Sequence, residues 1–289
     1  MGKRGETVCG QSADAKAQPG SAPAPGGKER LIDVYRRWFD VVPADTPELL
    51  ERAHRLRYQV YCVENPFEDP ATNAGGLEKD EFDAHSVHSL LIHRTTGLVA
   101  GAVRIVLPLA GDLRKSFALQ GVCRDPSVFD PARFPVERVG EVSRFSISKE
   151  FRKRREDARY PAFYGPAGTG SNHDERRIIP HMTLGLIEAL VRMSVRHGVT
   201  HWCAVMEPQL LRLLTRLGIH FQNIGPLVDY HGLRQPCIAP LEILLPRVQQ
   251  ERPDVWEVLT NDGEHWDAFR DMLAGRRVAS HASRMAHAS

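Results

Sequence analysis

The stretch that most limits how this chain can fold is residues 180–197, a strongly amphipathic segment set between two β-rich runs, 141–148 and 200–205. Leu184, Ile187, Leu190, Val191 and Ser194 fall on one face at helical spacing, and Gly198 follows as a left-handed stop. A long helix between two short strands returns the chain across a sheet, so the centre of the fold is predicted to be a strand–helix–strand crossover. The flanking sequence fits that centre. Helical spacing recurs at 31–39 and 46–61, the second opened by Thr46 as N-cap with Pro47 at the first helical position. Runs 86–93 and 98–107 read as strands of a hairpin turning at Thr95-Thr96-Gly97. A short helix is predicted at 113–119, and a longer one at 207–217 with Pro208 at its start and Gly218 just past its end. Further strands are predicted at 221–224 and 238–244, and one helical patch at 256–273. Residues 65–83 and 149–177 show no period and read as a loop and a long insertion, the latter carrying Gly165, Gly168 and Gly170. The order predicts a mixed α/β domain with a central mixed sheet flanked by helices.

With 289 residues, 42% hydrophobic and 26% charged, the chain is long enough for one substantial core. Residues 1–30 are rich in Ala, Pro, Gly and Ser and read as a disordered tail; 31–246 form the predicted domain, and 247–289 a helical extension and tail. The first 28 residues lack the apolar core of a signal peptide, and no apolar run approaches the ~18 residues of a membrane span. The five cysteines are scattered, with no C-x-x-C, which favours a reducing compartment; the expectation is a cytoplasmic protein. A net charge of +2 gives no reason to expect a nucleic acid partner.

The run Glu141-Val-Ser-Arg144-Phe145-Ser-Ile-Ser holds the chemistry. Glu141 and Arg144, three apart, face opposite sides of a regular strand and share a side only if a bulge intervenes. Upstream lie Arg57, Asp80, Asp83 and Arg104. Spacing alone leaves an architectural ion-pair role open for each of these charges. Asp83-x-His85-x-x-His88 has the letters of a metal site, but the two histidines, an odd number apart on a strand, point to opposite faces, so no metal is expected. Cys203, in an apolar run, reads as a small core residue.

Four pieces in order, Arg57-Tyr-Gln-Val-Tyr61, Glu78-Lys-Asp80-Glu-Phe-Asp83, Gly101-Ala-Val-Arg104 and Glu141-Val-Ser-Arg144-Phe145, resemble the acyl-homoserine-lactone synthases and the related N-acyl amino acid synthases, within the acetyltransferase-like (GNAT) fold. The resemblance covers residues 31–245, and the continuation of 141–154 further resembles acyltransferases associated with PEP-CTERM/exosortase systems. It implies an N-acyltransferase that moves a fatty acyl chain from a carrier thioester to the α-amine of an amino acid or similar small amine. Production of an acyl-homoserine lactone is the near alternative, and a non-catalytic acyl-binding module the more distant one. Under this resemblance Glu141, Arg144 and Arg104 are the catalytic candidates. Arg57, Tyr61, Asp80, Asp83 and Phe145 surround the acceptor, with Arg104 or Arg144 meeting its carboxylate, and Asp80 and Asp83 holding its ammonium or bracing Arg57. No tightly bound cofactor is implied. The pyrophosphate loop of coenzyme-A-using acetyltransferases is missing before Leu184, which favours acyl carrier protein over acyl-CoA as donor. Lys149, Arg152, Lys153, Arg154 and Arg155 would then form a docking surface for that acidic carrier.

Overall fold

The computed structural model describes residues 29–65, 67–123, 129, 134–153 and 175–275. Helix α1 (Leu31–Trp38) runs straight into an edge strand β1 (Phe39–Pro43), and α2 (Pro47–Tyr58) continues as a π-helical turn, Gln59–Glu64. The hairpin β2 (Ser86–His93) and β3 (Val99–Val106) is followed by the short α3 (Ala118–Val122) and by β4 (Val139–Ile147). Then come α4 (Lys149–Lys153), α5 (Glu175–His197), β5 (His201–Met206), α6 (Pro208–Arg216) and three more strands, β6 (Gln222–Asn223), β7 (Val228–Asp229) and β8 (Leu233–Pro240). Helices α7 (Leu241–Glu251), α8 (Pro253–Leu259) and α9 (Glu264–Leu273) close the described chain.

The strands form one sheet in the order β1-β2-β3-β4-β5-β8-β6, with β7 paired to β8. Every adjacent pair is antiparallel except β4 and β5, which run parallel with α5 between them in sequence. This is the predicted crossover. Alternation sorts the sheet's side chains onto two faces. Leu91, Val103 and Ile105 meet α1 and α5, whereas Leu90 and Ala102 meet Ala53, Leu56 and Val60 of α2 and the turn after it. On α5, Leu184, Leu186, Ile187, Leu190 and Val191 are fully enclosed.

Thr46 caps α2 by accepting the N–H of Leu49 at 3.4 Å, and Gly198 and Gly218 take the left-handed conformation just past α5 and α6. Three sequence expectations change. Phe39, expected to end a helix, opens β1 (Phe39–Pro43), a strand not expected because a short apolar run ending in Pro43 carries too little pattern to separate from the helix before it. β8 begins at Leu233 and stops at Pro240, and Leu241–Glu251 is helical; Pro246 inside it interrupts the helical period. The patch at 256–273 is two helices, split where Asn261, Asp262 and Gly263 all adopt positive φ. The expected boundary at 246/247 falls inside α7. Val248, Val255, Val258, Leu259 and Phe269 belong to the same core cluster as α1 and α5.

Candidate active site

β4 and β5 pair over three positions only, from Val139↔His201 to Glu141↔Cys203, although β4 runs on to Ile147 and β5 to Met206. Past Glu141 the two strands part, and a cavity of about 400 Å³ lies between them. Its polar wall holds Asp80, Arg104, Glu141 and Arg144, and its apolar end is lined by Ile187 and Leu190 of α5, Leu210 and Leu214 of α6, and Phe221.

The bulge that Glu141 and Arg144 require is present. Arg104 pairs with Ser143 and Ala102 with Ser146, so Val103 alone on β3 faces both Arg144 and Phe145 on β4. Arg144 has φ +50°, a left-handed backbone uncommon for a side chain of this size. The extra residue turns Arg144 to the side of Glu141, and both line the cavity.

The charged residues form an ion network, with Glu78 bridging Arg57 and Arg144. Asp-x-x-Asp is a capping box on the short helical turn Glu81–His85. Asp80 accepts the N–H of Phe82 at 3.0 Å, and Asp83 accepts the N–H of Asp80 at 2.8 Å. This fixes both carboxylates toward the arginines. Arg57 donates bidentately to Asp83 at 2.7 and 3.0 Å, and its Nε donates to Glu78. Arg104 donates to Asp80 through Nη2 at 2.9 Å, to Asp83 at 2.9 Å and to the Ser143 hydroxyl at 3.0 Å. Arg144 reaches Glu78 at 2.9 Å, Glu68 at 3.0 Å and Asp80 at 2.9 Å, and its guanidinium lies 5.1 Å from the ring centre of Tyr61. Arg57 and Glu78 are each 1% exposed. Glu78, which bridges Arg57 and Arg144, and Glu68 are the residues that spacing did not single out. Glu78 sits two positions before Asp80, inside the quoted motif, where an extended backbone would have placed its side chain with that of Asp80.

Burial alone would raise the carboxyl pKa values of Asp83, Asp80 and Glu78, but their bonds to His88, Arg57, Arg104 and Arg144 outweigh it and hold all three below the usual range. The network therefore stays ionised. It also occupies Arg104 and Arg144 with protein carboxylates. The Arg57 role is answered likewise: Asp83 braces it.

Glu141 stands apart from this network. It forms no bond with Arg144; its Oε2 accepts the N–H of Leu119 at 3.3 Å, with the N–H of Ala118 also directed at the carboxylate. It is 4% exposed, and burial raises its pKa to about 7 against the lowering effect of those amides and of Arg104. Tyr61 and Phe145 line the cavity. Cys203, the register partner of Glu141, is fully enclosed, and burial raises its thiol.

His85 and His88 do diverge: His85 meets the carbonyl of Ser116 at 3.0 Å, and His88 approaches Asp83 at 3.4 Å. His54, Asp83 and His88 have ligand atoms within 4.8 Å of one another. A divalent cation there would share Asp83 with the guanidinium groups of Arg57 and Arg104, an electrostatically poor neighbourhood. Of the basic run, Lys149 lies 3.6 Å from Glu64. Arg154 and Arg155 are outside the described residues, as are the side chains of Arg152 and Lys153.

The mouth of the cavity was not legible in the sequence. Tyr230 and His231 of the turn joining β7 to β8, and Arg234 at the start of β8, line it together with Phe67 and Glu207. None belongs to a spaced motif, and folding alone brings them to the cavity.

Residues 56–160 match the acetyltransferase (GNAT) domain family. Over 198 residues the chain is 26% identical to an acyl-homoserine-lactone synthase of Vibrio anguillarum, covering 67% of this chain and 84% of that one. Among solved structures it is similar to TofI in a ternary complex with an inhibitor and MTA (18% identity, 73% of this chain and 96% of that chain, TM-score 0.49). It is also similar to FeeM, an N-acyl amino acid synthase from uncultured soil microbes (13% identity, 72% and 93%, TM-score 0.45). A third is MesI, a CoA-dependent acyl-homoserine lactone synthase (19% identity, 78% and 95%, TM-score 0.46). Residues 56–160 thus carry the match to a GNAT-type acetyltransferase domain, and the chain is related to the acyl-homoserine-lactone synthases.

Proposed function

We propose that the protein transfers a fatty acyl chain from a carrier thioester, acyl carrier protein or coenzyme A, to the amine of an amino acid or similar small molecule. The observation that carries this reading is the continuity of one cavity from a buried carboxyl of near-neutral pKa, Glu141, to an apolar end formed by α5 and α6. An apolar end suits an alkyl chain, and the polar end suits an amine.

In the reaction the amine nitrogen attacks the thioester carbonyl carbon. A C–N bond forms, and the carbonyl oxygen takes the negative charge. Collapse of the tetrahedral intermediate breaks the C–S bond, and the proton shed by nitrogen passes through Glu141 to the departing sulfur. A free α-amine titrates at about 8, so a carboxylate of pKa about 7 is matched to removing its proton near neutrality. The edge of β4 beyond Glu141, where the ladder to β5 ends, offers backbone N–H groups for the oxyanion. Arg144, Arg104, Arg57, Asp80 and Asp83 act as the rigid charged wall against which Tyr61, Phe145 and the acceptor are set. Acyl carrier protein as donor rests on the missing pyrophosphate loop, with Lys149 and the basic run after it as its docking surface. A place among the PEP-CTERM/exosortase-associated acyltransferases rests on the wording of 141–154 alone.

The relative from Vibrio anguillarum favours one second reading, synthesis of an acyl-homoserine lactone. Both are tested with purified full-length protein, acyl carrier protein and coenzyme A thioesters of graded chain length, and a panel of amines including S-adenosylmethionine. Free thiol release with an N-acyl amino acid by mass spectrometry supports the first reading, and a lactone the second. Ligand-induced thermal stabilisation without thiol release on any pair would leave only a binding module.

A further inference from the structure

If the arginines of the ion network are spoken for, some other group must read the rest of the acceptor. Arg57, Arg104 and Arg144 face Glu68, Glu78, Asp80 and Asp83, three positive charges against four negative. A wall with that balance repels an anion and attracts an ammonium. The mouth has the opposite character. There, among the described residues, the cavity-lining arginine outside the network is Arg234, the second residue of β8.

Arg234 is held in place by the turn that precedes it. Its Nε donates to the carbonyl of Tyr230 at 3.2 Å and its Nη2 to the carbonyl of His231 at 3.0 Å, with His231 and Gly232 both at positive φ to make the turn tight enough. The guanidinium lies 5.6 Å from the ring centre of Phe67, which packs against Tyr61, and Tyr61 in turn lies under Arg144. A ladder of two rings thus fixes the mouth cation relative to the polar wall. The remaining arm, Nη1, meets the carboxylate of Glu207. Glu207 has half its side chain in solvent and stands just before α6 without capping it, so that contact is the least anchored of the set. An ion pair with one partner half in solvent is weakly held and readily exchanged. The Arg234 side chain is 13% exposed, so a carboxylate that reaches it from inside the cavity is better shielded from water than Glu207 is.

From these observations we infer that Arg234 is the receptor for an oxyanion on the acceptor, its carboxylate, with Glu207 occupying that arm until substrate displaces it. The acceptor class is therefore a zwitterion, its amine drawn to the acidic wall near Glu141 and its carboxylate to the mouth. Neutral amines and carboxamides lack the second handle. The inference rests on the acyl-transfer reading above and specifies the substrate of that same cavity.

Steady-state kinetics on the full-length chain test it, using acceptors in matched sets: an amino acid, its carboxamide and the corresponding decarboxylated amine. Wild type is expected to use the acid better than the amide through KM. R234Q raises KM for the acid by about tenfold or more, the effect of losing a charge-assisted bond, while kcat and the donor KM stay put. R234K restores part of the loss, and E207Q lowers KM for the acid by removing the competitor. Equal use of acid and amide by wild type, or an unmoved acid KM in folded R234Q, would overturn the assignment and leave acyl transfer standing. A rise in the donor KM instead would place a donor phosphate at Arg234 and overturn it as well. Should R234Q fail to fold, the acid–amide comparison in wild type and the E207Q shift decide the matter. No N-acyl product from wild type with any acceptor would sink the acyl-transfer reading itself, and this inference with it.

Discussion

Two carboxyl groups in the cavity region, Glu141 and Glu78, are both almost fully enclosed, yet their environments assign them opposite work. Glu78 is flanked by Arg57 and Arg144, and its charge is what keeps two buried guanidinium groups tolerable. Glu78→Gln removes that charge and is expected to lower unfolding free energy by about 3–5 kcal/mol in denaturant titration, with activity following stability. Glu141 has no cationic partner bonded to it, and burial holds its pKa at about 7. Its folded pKa exceeds its unfolded value near 4.5, so the stability it contributes is present at low pH and lost as pH rises toward 7. Glu141→Gln should therefore gain melting temperature relative to wild type between pH 5 and pH 8, by the equivalent of about 3 kcal/mol at most, while turnover collapses and the acidic limb of the kcat/KM profile near pH 7 disappears. A variant that melts early at every pH would mark the carboxyl as architectural. The charged set was visible in the sequence because four short motifs carry it in an order that resembles the acyl-homoserine-lactone synthases. Glu68, Tyr230 and Arg234 were not visible, because only the tertiary path of loops brings them to the wall.

At the scale of elements, the site depends on how closely β4 approaches its neighbours before it leaves them. A Cβ on Gly140 would sit 2.6 Å from Ile105 Cγ2 and 3.0 Å from Val199, on the last stretch where β4 and β5 still pair. Gly140→Ala is expected to cost about 1–3 kcal/mol by overpacking, read as a lower denaturation midpoint, and to shift Glu141 enough to lower turnover beyond the stability effect. At the far end, Leu190 is fully enclosed and lines the apolar part of the cavity. Leu190→Phe should shorten the preferred acyl chain, visible as a lower product mass when donors of mixed length compete. Elements with strong periods were readable before folding. The α5 crossover, the β2–β3 hairpin and α6 carry enough apolar repeats and end signals to declare themselves. β1, with five residues, and α7, with Pro246 in its middle, do not, because edge position and packing against α5 decide β1, and packing against α8 and β8 decides α7.

Across the whole molecule, groups with opposite pH slopes share one core. Burial, aided by the charge of Arg57, lowers the His54 pKa to about 4, and burial likewise lowers His181 and His265 to about 4. A histidine with a depressed pKa loses its stabilising contribution as pH falls from its ordinary value of 6.5 toward 4. Glu141 and Glu188, both raised to about 7, run the other way over much of the same window. The wild-type melting temperature is thus expected to decline only gently from pH 7 to 4.5. It should then fall steeply below about pH 4, where Glu78, Asp80 and Asp83 would have to be protonated inside the network. His54→Phe should flatten the first part of that curve and leave the second in place. Among the described residues, no helix is long and apolar enough to cross a membrane.

The bulge at Arg144 and Phe145 makes chain length a part of the chemistry. Deleting either residue would restore an even ladder between β3 and β4, remove a left-handed backbone and so favour the sheet. The same deletion would put Glu141 and whatever follows it on opposite sides. A sequence one residue shorter here would keep the strand pairing but draw Arg144 away from Glu78 and Asp80, so a single-codon deletion is expected to cost the site and the ion network together.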